Sequence, residues 1–193
     1  MSQAEAIAAA GATAGGKPVV AIVGRPNVGK STLFNRLVGA RKAIVEEMPG
    51  TTRDRLYGEV EWGDGELVVI DTGGLEPSAE REYAPQVRRQ VELALAEADA
   101  ILFVVDVVEG ITAIDLEIAD VLRRAQKPTL LVANKADNDR RSEGALQFYE
   151  LAQGDPIAVS AYHGLGLAEL RHRLEALLPP AAAVPSPQAL ALA

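Results

Sequence analysis

Near its N-terminus the chain reads Pro18-Val19-Val20-Ala21-Ile22-Val23-Gly24-Arg25-Pro26-Asn27-Val28-Gly29-Lys30-Ser31. The apolar run at 19–23 is typical of a strand buried on both faces of a parallel sheet. Residues 24–31 match the pattern G-x-x-x-x-G-K-[ST], and residues 32–37 continue with helical spacing. A strand, a loop and a helix in this succession are the context in which the pattern indicates a phosphate-binding loop.

The residue types in this loop suit an anion. Gly24 and Gly29 allow tight bends, so that successive backbone N–H groups point inward, and the start of the helix adds partial positive charge. Lys30 can reach the outer phosphates of a nucleotide, and the Ser31 hydroxyl can ligate Mg²⁺. A chance glycine-rich turn is the alternative, but eight positions and both flanking elements agree with a phosphate loop.

Beyond this loop, segments with strand character alternate with segments of helical periodicity. Strands are predicted at 19–23, 56–62, 66–71, 100–106, 129–134 and 157–160. Helices are predicted at 30–37, from about Pro85 to Ala98, at 115–125, at 142–151 with Ser142 as N-cap, and at 167–178. The turn Gly63-Asp64-Gly65 predicts an antiparallel pair at one sheet edge. We therefore predict a three-layer α/β fold with a mostly parallel six-stranded sheet and ligands beyond the carboxyl ends of its strands.

Length and composition limit the class of protein. The 193 residues suffice for one domain, and the net charge of −8 argues against coating nucleic acid by bulk charge. The chain has no cysteine, which fits a reducing cytoplasm, and its apolar runs are too short to span a bilayer. We expect a disordered leader at residues 1–17, a domain at 18–178 and a linker or disordered tail at 179–193.

Two further motifs follow predicted strands. In Asp71-Thr72-Gly73-Gly74, an Asp can hold Mg²⁺ through water and a glycine N–H can approach the terminal phosphate. In Asn134-Lys135-Ala136-Asp137, the last carboxylate can accept hydrogen bonds from N1–H and the 2-amine of guanine, which adenine does not offer. Asn134 can hold loops together and reach N7 of the base, and the Lys135 stem can lie over the base. Ordinary Asp–Gly and helix-capping turns are the alternatives.

Two irregular segments, about residues 40–54 and 72–85, are predicted to be mobile loops. The first contains Thr52, whose hydroxyl can complete the Mg²⁺ shell once the terminal phosphate is bound. After the last predicted strand, the backbone N–H of Ala161, which follows Ser160, can donate to guanine O6. This last short motif is uninformative on its own.

Together these motifs resemble the five guanine-nucleotide motifs of translation-factor-class GTPases. Residues 24–31, Pro-Gly-Thr-Thr-Arg-Asp at 49–54 and Asp-Thr-Gly-Gly-Leu at 71–75 are similar to the first GTPase domain of the Der (EngA) family, and less specifically to Era and the tRNA-modifying GTPases. The resemblance covers about residues 18–178 and implies a P-loop GTPase fold. For a longer parent protein, the resemblance implies a role in assembly of the large ribosomal subunit. It implies no membrane partner. Direct nucleic-acid binding is not expected of this domain alone.

The resemblance implies GTP or GDP as ligand, with Mg²⁺ as cofactor and K⁺ as activator. The residues it implies in nucleotide binding are Gly24, Arg25, Pro26, Asn27, Val28, Gly29, Lys30, Ser31, Asp71, Thr72, Gly73, Gly74, Leu75, Asn134, Lys135, Ala136, Asp137, Ser160 and Ala161. Those implied in hydrolysis are Asn27, Lys30, Thr52 and Gly74. The implied metal ligands are Ser31, Thr52 and Asp71 for Mg²⁺, and Asn27 for K⁺.

Hydrolysis needs its own explanation. Ras-like switches orient the attacking water with a glutamine immediately after Asp-x-x-Gly, whereas this chain has Leu75, which has no donor or acceptor. The similar counterpart of Asn27 in potassium-activated GTPases ligates K⁺, whose charge can stabilise the transition state. The alternative is that Asn27 only braces the loop.

Other functions share parts of this pattern. An ATPase or a nucleotide kinase can have the same phosphate loop, but neither explains residues 134–137. A nucleotide-dependent binding module with little hydrolysis and an Era-like, RNA-associated GTPase fragment are further alternatives.

Overall fold

The computed structural model describes residues 17–39, 56–62, 65–73 and 83–178. Its strands form one six-stranded sheet, and they are β1 Val19–Val23, β2 Leu56–Trp62, β3 Gly65–Asp71, β4 Ala100–Asp106, β5 Thr129–Asn134 and β6 Ile157–Ala158. Their order across the sheet is β2-β3-β1-β4-β5-β6. Strand β2 pairs antiparallel with β3, and all other neighbours pair parallel. The predicted sheet with one antiparallel edge strand is confirmed.

Helices cover both faces of this sheet. The α-helices of the described residues are α1 Lys30–Val38, α2 Tyr83–Glu97, α3 Ala113–Ala125, α4 Asp139–Glu143 and α5 Leu167–Leu177, and a 3-10 helix at Gly144–Leu151 follows α4. Alternate residues of β1 enter opposite cores, because side chains alternate across a strand. Ala21 joins the core under α2, α3 and the 3-10 helix, whereas Ile22 joins the core under α1 and α5. These two cores make the predicted three layers.

Several predicted boundaries differ from those in the structure, and two of the differences have a visible cause. Helix α4 begins before Ser142, because the Asn138 side chain caps it by accepting the N–H of Arg141 at 3.0 Å. Strand β6 ends at Ala158 rather than at residue 160, because the chain turns back at Ser160, whose carbonyl accepts the N–H of Gly164 at 2.7 Å.

Several predictions fall outside the described residues. They include the leader up to residue 16, the segment 40–55, residues 63–64, residues 74–82 and the segment 179–193. Thr52, Gly74 and Leu75 belong to these segments. Among the helices that the structure does describe, none combines the length and the apolar character needed to cross a bilayer.

The topology brings the predicted motifs to one edge of the sheet. The parallel strands β1, β3, β4 and β5 all end there, and the phosphate loop follows β1. Asp71 ends β3 and Asn134 ends β5, so residues far apart in sequence meet at the carboxyl ends of adjacent or nearly adjacent strands.

Strand β2 packs closely against α1 at Gly58. A Cβ atom at this position would lie 2.5 Å from Val38 Cγ2 and 3.0 Å from Phe34 Cζ. We predict that Gly58→Ala lowers the free energy of unfolding by about 1–3 kcal/mol, because the added methyl overpacks the core. Urea unfolding measures this, with Gly144→Ala as control, since Gly144 has helical dihedral angles and a Cβ atom there would lie 3.9 Å from Gln147 Nε2, an ordinary van der Waals distance. Equal destabilisation by both substitutions would contradict the packing argument.

Candidate nucleotide-binding site

The phosphate loop runs from β1 to α1 and requires glycine at two positions. Gly24 has φ +153°, and a Cβ atom there would lie 2.4 Å from the carbonyl oxygen of Val104. Gly29 has φ +95°, and a Cβ atom there would lie 2.3 Å from Asn134 Nδ2. Any side chain would therefore collide with β4 at the first position and with the β5 asparagine at the second. The predicted bends of the loop are present at both glycines.

Lys30 is the buried cation of this loop. Its Nζ donates to the carbonyl oxygen of Arg25 at 2.7 Å, so the side chain curls back inside the loop. Burial lowers the pKa of Lys30 to about 8, although the nearby Asp71 carboxylate opposes this shift. An ammonium group with few water contacts gains most from an anionic ligand, since a phosphate would offset the cost of burying its charge.

Oxygen donors suited to Mg²⁺ converge beside this lysine. The Asp71 carboxylate accepts the N–H of Gly73 at 2.9 Å. A Cβ atom at Gly73 would lie 2.9 Å from Asp71 Oδ1 and 3.4 Å from both Ser31 Oγ and Lys30 Cε, so these groups surround one point. A carboxylate and a hydroxyl are the hard ligands that Mg²⁺ binds together with water and phosphate oxygens. The donor set therefore fits the ion that the sequence implies.

A cavity of about 410 Å³ opens over the phosphate loop. The residues predicted to bind nucleotide that line it are Gly24, Pro26, Asn27, Gly29, Lys30, Ser31, Gly73 and Lys135. Thr32 of α1 and Gln86, Val87 and Gln90 of α2 complete the described wall. The pattern of α2 predicted a helix, but it did not indicate that two glutamine side chains face the same cavity as the phosphate loop.

Asn134 connects the phosphate loop to the segment after β6. Its Nδ2 donates to the carbonyl oxygen of Val28 at 2.8 Å, and its Oδ1 accepts the N–H of Ala161 at 3.0 Å. The predicted role of Asn134 in holding loops together therefore agrees with the geometry. The Ala161 N–H that we predicted for guanine O6 is used by this bond, so a base oxygen would have to share it.

Asp137 lies close to the same segment. The Ser160 hydroxyl donates to Asp137 Oδ1 at 2.7 Å, and Arg141 Nη1 contacts Asp137 Oδ2 at 2.5 Å. The serine orients the carboxylate, while the arginine, which sequence reasoning missed, holds its other oxygen. The Asp137–Arg141 spacing of four residues on a helix start is the signal that could have found this pair.

Lys135 is held by a buried carboxylate at the end of β4. Its Nζ lies 2.5 Å from Asp106 Oδ2, and Asp106 is 1% exposed. The backbone of Lys135 has φ +67°, a conformation that few residues other than glycine adopt. The side chain is thereby fixed along the cavity wall, where its stem was predicted to lie over the base.

The Arg25 side chain makes different contacts from those predicted. Its Nη2 lies 2.5 Å from Glu109 Oε2, and its Nε lies 3.4 Å from Oδ2 of Asp115, which is fully buried. Arg25 faces these carboxylates, and it contributes its backbone oxygen to Lys30. The Thr112–Asp115 spacing is a capping-box signature that could have indicated the buried carboxylate, but nothing in the sequence joins it to Arg25.

Known proteins share this arrangement of loop, strand ends and helices. A sequence model of the family described as "50S ribosome-binding GTPase" matches residues 19–135, which is more than half of the chain. The chain belongs to this family. The match contains the phosphate loop, the motif at 71–74 and the first two residues of the motif at 134–137.

Individual relatives agree with this assignment. GTPase Der of Thermomicrobium roseum is 60% identical over 168 residues, which are 84% of this chain and 36% of the relative. Aquifex aeolicus Era bound to GDP and AlF4⁻ is 31% identical, with a TM-score of 0.66 over 85% of this chain and 57% of Era. Era bound to MgGDPNP and a 16S ribosomal RNA fragment is 30% identical, with a TM-score of 0.65 over 86% of this chain and 58% of Era.

These similarities confirm the predicted resemblance to the Der GTPases, the P-loop GTPase fold and the assignment to a GTPase family. The chain spans little more than a third of the length of the Der relatives that it matches. The roles of individual site residues stay predictions, and those of Thr52, Gly74 and Leu75 concern positions outside the described residues.

The lowered pKa of Lys30 predicts that nucleotide binding depends on pH. A bound phosphate favours the ammonium and raises its pKa in the complex, so this contribution to affinity is complete below pH 8 and is lost as the pH rises through the pKa of the complex. We predict that the Kd for GDP rises above pH 8 by up to about tenfold per pH unit. Equilibrium titration with GDP between pH 6.5 and pH 9.5 measures the curve.

Lys30→Arg is the control for this titration, because a guanidinium stays charged over the whole range. Its curve of Kd against pH contains the effects of guanine ionisation and of all other titrating groups. The difference between the curves of the two chains therefore gives the effect of Lys30 ionisation. Parallel curves for the two chains would contradict the assignment.

Proposed function

We propose that this chain is the GTP-binding and GTP-hydrolysing switch domain of a protein that acts in assembly of the large ribosomal subunit. The observation that supports it best is the cavity over the phosphate loop, which Lys30, Gly73 and Lys135 line together, in a chain 60% identical to a GTPase Der. The relation to Der is closer than the 31% identity to Era, which favours the ribosomal function of the Der type. We also propose a cytoplasmic location, because the proposed partner is a ribosomal subunit.

In this proposal the phosphate loop binds the phosphates of GTP. The loop residues and Lys30 line the cavity, where fixed donors would stabilise developing charge on the phosphates. Ser31 and Asp71 would hold Mg²⁺, which neutralises phosphate charge when bound. We further propose that Thr52 completes the Mg²⁺ shell and that Gly74 contacts the terminal phosphate, as the sequence predicts.

Guanine selection is proposed for Asp137. Its carboxylate is oriented by the Ser160 hydroxyl, and it matches the two donors on the N1 and N2 side of guanine. Adenine has no donor at N1, so a carboxylate facing it would lose a hydrogen bond. This favours a GTPase over an ATPase or a nucleotide kinase with the same phosphate loop.

Potassium activation is proposed for Asn27. This residue lines the cavity and has φ +65°, so the loop backbone adopts an uncommon conformation to present it there. An amide carbonyl is a suitable ligand for K⁺, and a cation beside the phosphates supplies charge of the kind that an arginine finger brings in other GTPases.

Guanine selection is tested by Asp137→Asn. An amide can donate to the 2-oxo group that xanthine has in place of the amine, so we predict a change of preference from GTP to XTP. Competition binding of the two nucleotides measures it, and Asp139→Asn, the same change on an exposed residue two positions later, should keep the preference for GTP. An unchanged preference in Asp137→Asn would remove the assignment.

Turnover is tested by steady-state GTP hydrolysis in KCl and in NaCl at equal ionic strength. We predict faster hydrolysis in KCl, because the smaller Na⁺ fits a carbonyl shell of that size poorly. Asn27→Ala should lose the stimulation, whereas Asn35→Ala, the same change on an exposed part of α1, should retain it.

Two results would change the proposal in different ways. Equal rates of the unmodified chain in both salts would reject the potassium role. Tight GTP binding with almost no hydrolysis in either salt would favour the nucleotide-dependent binding module.

A further inference from the structure

Helix α1 contacts the nucleotide-site segment after β6 through an arginine that no motif includes. Arg36 Nε donates to the carbonyl oxygen of Ala161 at 2.8 Å, and its Nη2 donates to the carbonyl oxygen of Tyr162. The residues joined by the first bond are 125 positions apart in the chain. We call residues Ser160–Leu165 the base loop, because the sequence assigns guanine recognition to its start.

The base loop folds on itself at Ser160. The Ser160 carbonyl accepts the N–H groups of Gly164 and Leu165, and its hydroxyl accepts the N–H of His163 at 3.2 Å. These bonds close the turn, but they leave the direction of the peptide groups around Ala161 to outside contacts. The described outside contacts on those groups come from Asn134 and from Arg36.

Asn134 and Arg36 act on opposite sides of Ala161. Asn134 Oδ1 accepts the N–H of this residue, and Arg36 holds its carbonyl oxygen. In a planar trans peptide the N–H of the next residue points opposite to the carbonyl, so Arg36 also sets the direction of the Tyr162 N–H. Two successive backbone N–H groups of the base loop are thereby oriented, which is the requirement for donors that recognise a carbonyl of the base.

The same helix also holds the phosphate-binding side chains. Lys30 and Ser31 are the first two residues of α1, and Arg36 follows Lys30 by six residues, about 9 Å along the helix axis. Asn134 donates to the Val28 carbonyl and accepts the Ala161 N–H, and these two hydrogen bonds close a ring that returns through Arg36 to α1. The phosphate side and the base side of the site are therefore joined by one rigid element.

We propose that Arg36 is a positioning residue for guanine recognition, which orients the Tyr162 N–H, next to the Ala161 N–H shared with Asn134, toward O6 of the base. This inference rests on the proposed GTPase function of the site. Arginine suits the role because its planar fork donates to two successive carbonyls at once, whereas lysine offers one compact charge. The effect is on base selection, since the described hydrogen bonds of the Arg36 side chain outside α1 go to carbonyl oxygens of the base loop.

The test compares GDP with 6-thio-GDP, which keeps N1–H and the 2-amine but has sulfur, a weak acceptor, in place of O6. Binding of both nucleotides is measured for the unmodified chain, Arg36→Met, Arg36→Lys and the control Arg124→Met. Arg124 is an exposed arginine on α3 that pairs only with Asp120 among the described ion pairs. Circular dichroism verifies that each variant is folded.

We expect the unmodified chain and Arg124→Met to prefer GDP over 6-thio-GDP. In Arg36→Met this preference should fall by about twofold to tenfold, the range of one hydrogen bond, through weaker GDP binding with little change for 6-thio-GDP. The preference of Arg36→Lys for GDP should lie between that of the unmodified chain and that of Arg36→Met. If Arg36→Met does not fold, the intermediate preference of Arg36→Lys decides the question.

If Arg36 had a merely structural role, Arg36→Met would weaken the binding of GDP and of 6-thio-GDP equally. Equal losses of affinity would therefore overturn the inference. An unmodified chain that binds GDP but does not distinguish it from 6-thio-GDP would overturn it as well. Failure of the proposed function is a separate result. In that case the unmodified chain would bind ADP as tightly as GDP, because its site would not select guanine.

Discussion

One buried amide determines the distance between the two halves of the nucleotide site. The Asn134 side chain, which is 3% exposed, donates to the Val28 carbonyl and accepts the Ala161 N–H. Loss of either bond would leave a buried polar group without a partner, at a cost of about 1–3 kcal/mol. The same amide explains the glycine at position 29, because a Cβ atom there would lie 2.3 Å from Asn134 Nδ2. The shape of the phosphate loop thus depends on a residue of β5.

A second constraint is charge buried at the start of the loop. Arg25 faces the buried Asp115, which also accepts the Thr112 hydroxyl at 2.8 Å and belongs to the capping box of α3. A buried ion pair adds little net stability, but removal of one partner leaves a costly uncompensated charge. The pair therefore fixes where the loop lies relative to α3. With Arg25 held, its backbone carbonyl can accept Lys30 Nζ and keep that ammonium inside the loop.

Sequence reasoning predicted what is encoded locally. The run at 19–23, the described motif positions at the ends of β3 and β5, and the antiparallel edge pair follow from periodicity and turn chemistry over a few residues, and all are present. The contacts of Arg25 with Asp115 and of Arg36 with Ala161 span 90 and 125 positions, and no local pattern predicts them. The two glutamines of α2 were missed for a related reason, because periodicity predicts a helix but not which of its polar side chains faces a cavity.

Helix α1 gives these distant contacts a common consequence. Its first turn contains Lys30 and Ser31, which are proposed to bind phosphate and Mg²⁺, and Arg36 holds the base loop. Under the proposed role of Arg36, order at one end of the helix therefore favours order at the other. Such coupling is reciprocal by thermodynamic necessity: if base recognition strengthens phosphate binding, phosphate binding strengthens base recognition to the same extent. A site built from separate loops would allow the two parts of a nucleotide to bind independently. Here the helix, Asn134 and the base loop form a closed ring, and under the proposed roles selection for the base becomes a property of the whole ring rather than of Asp137 alone.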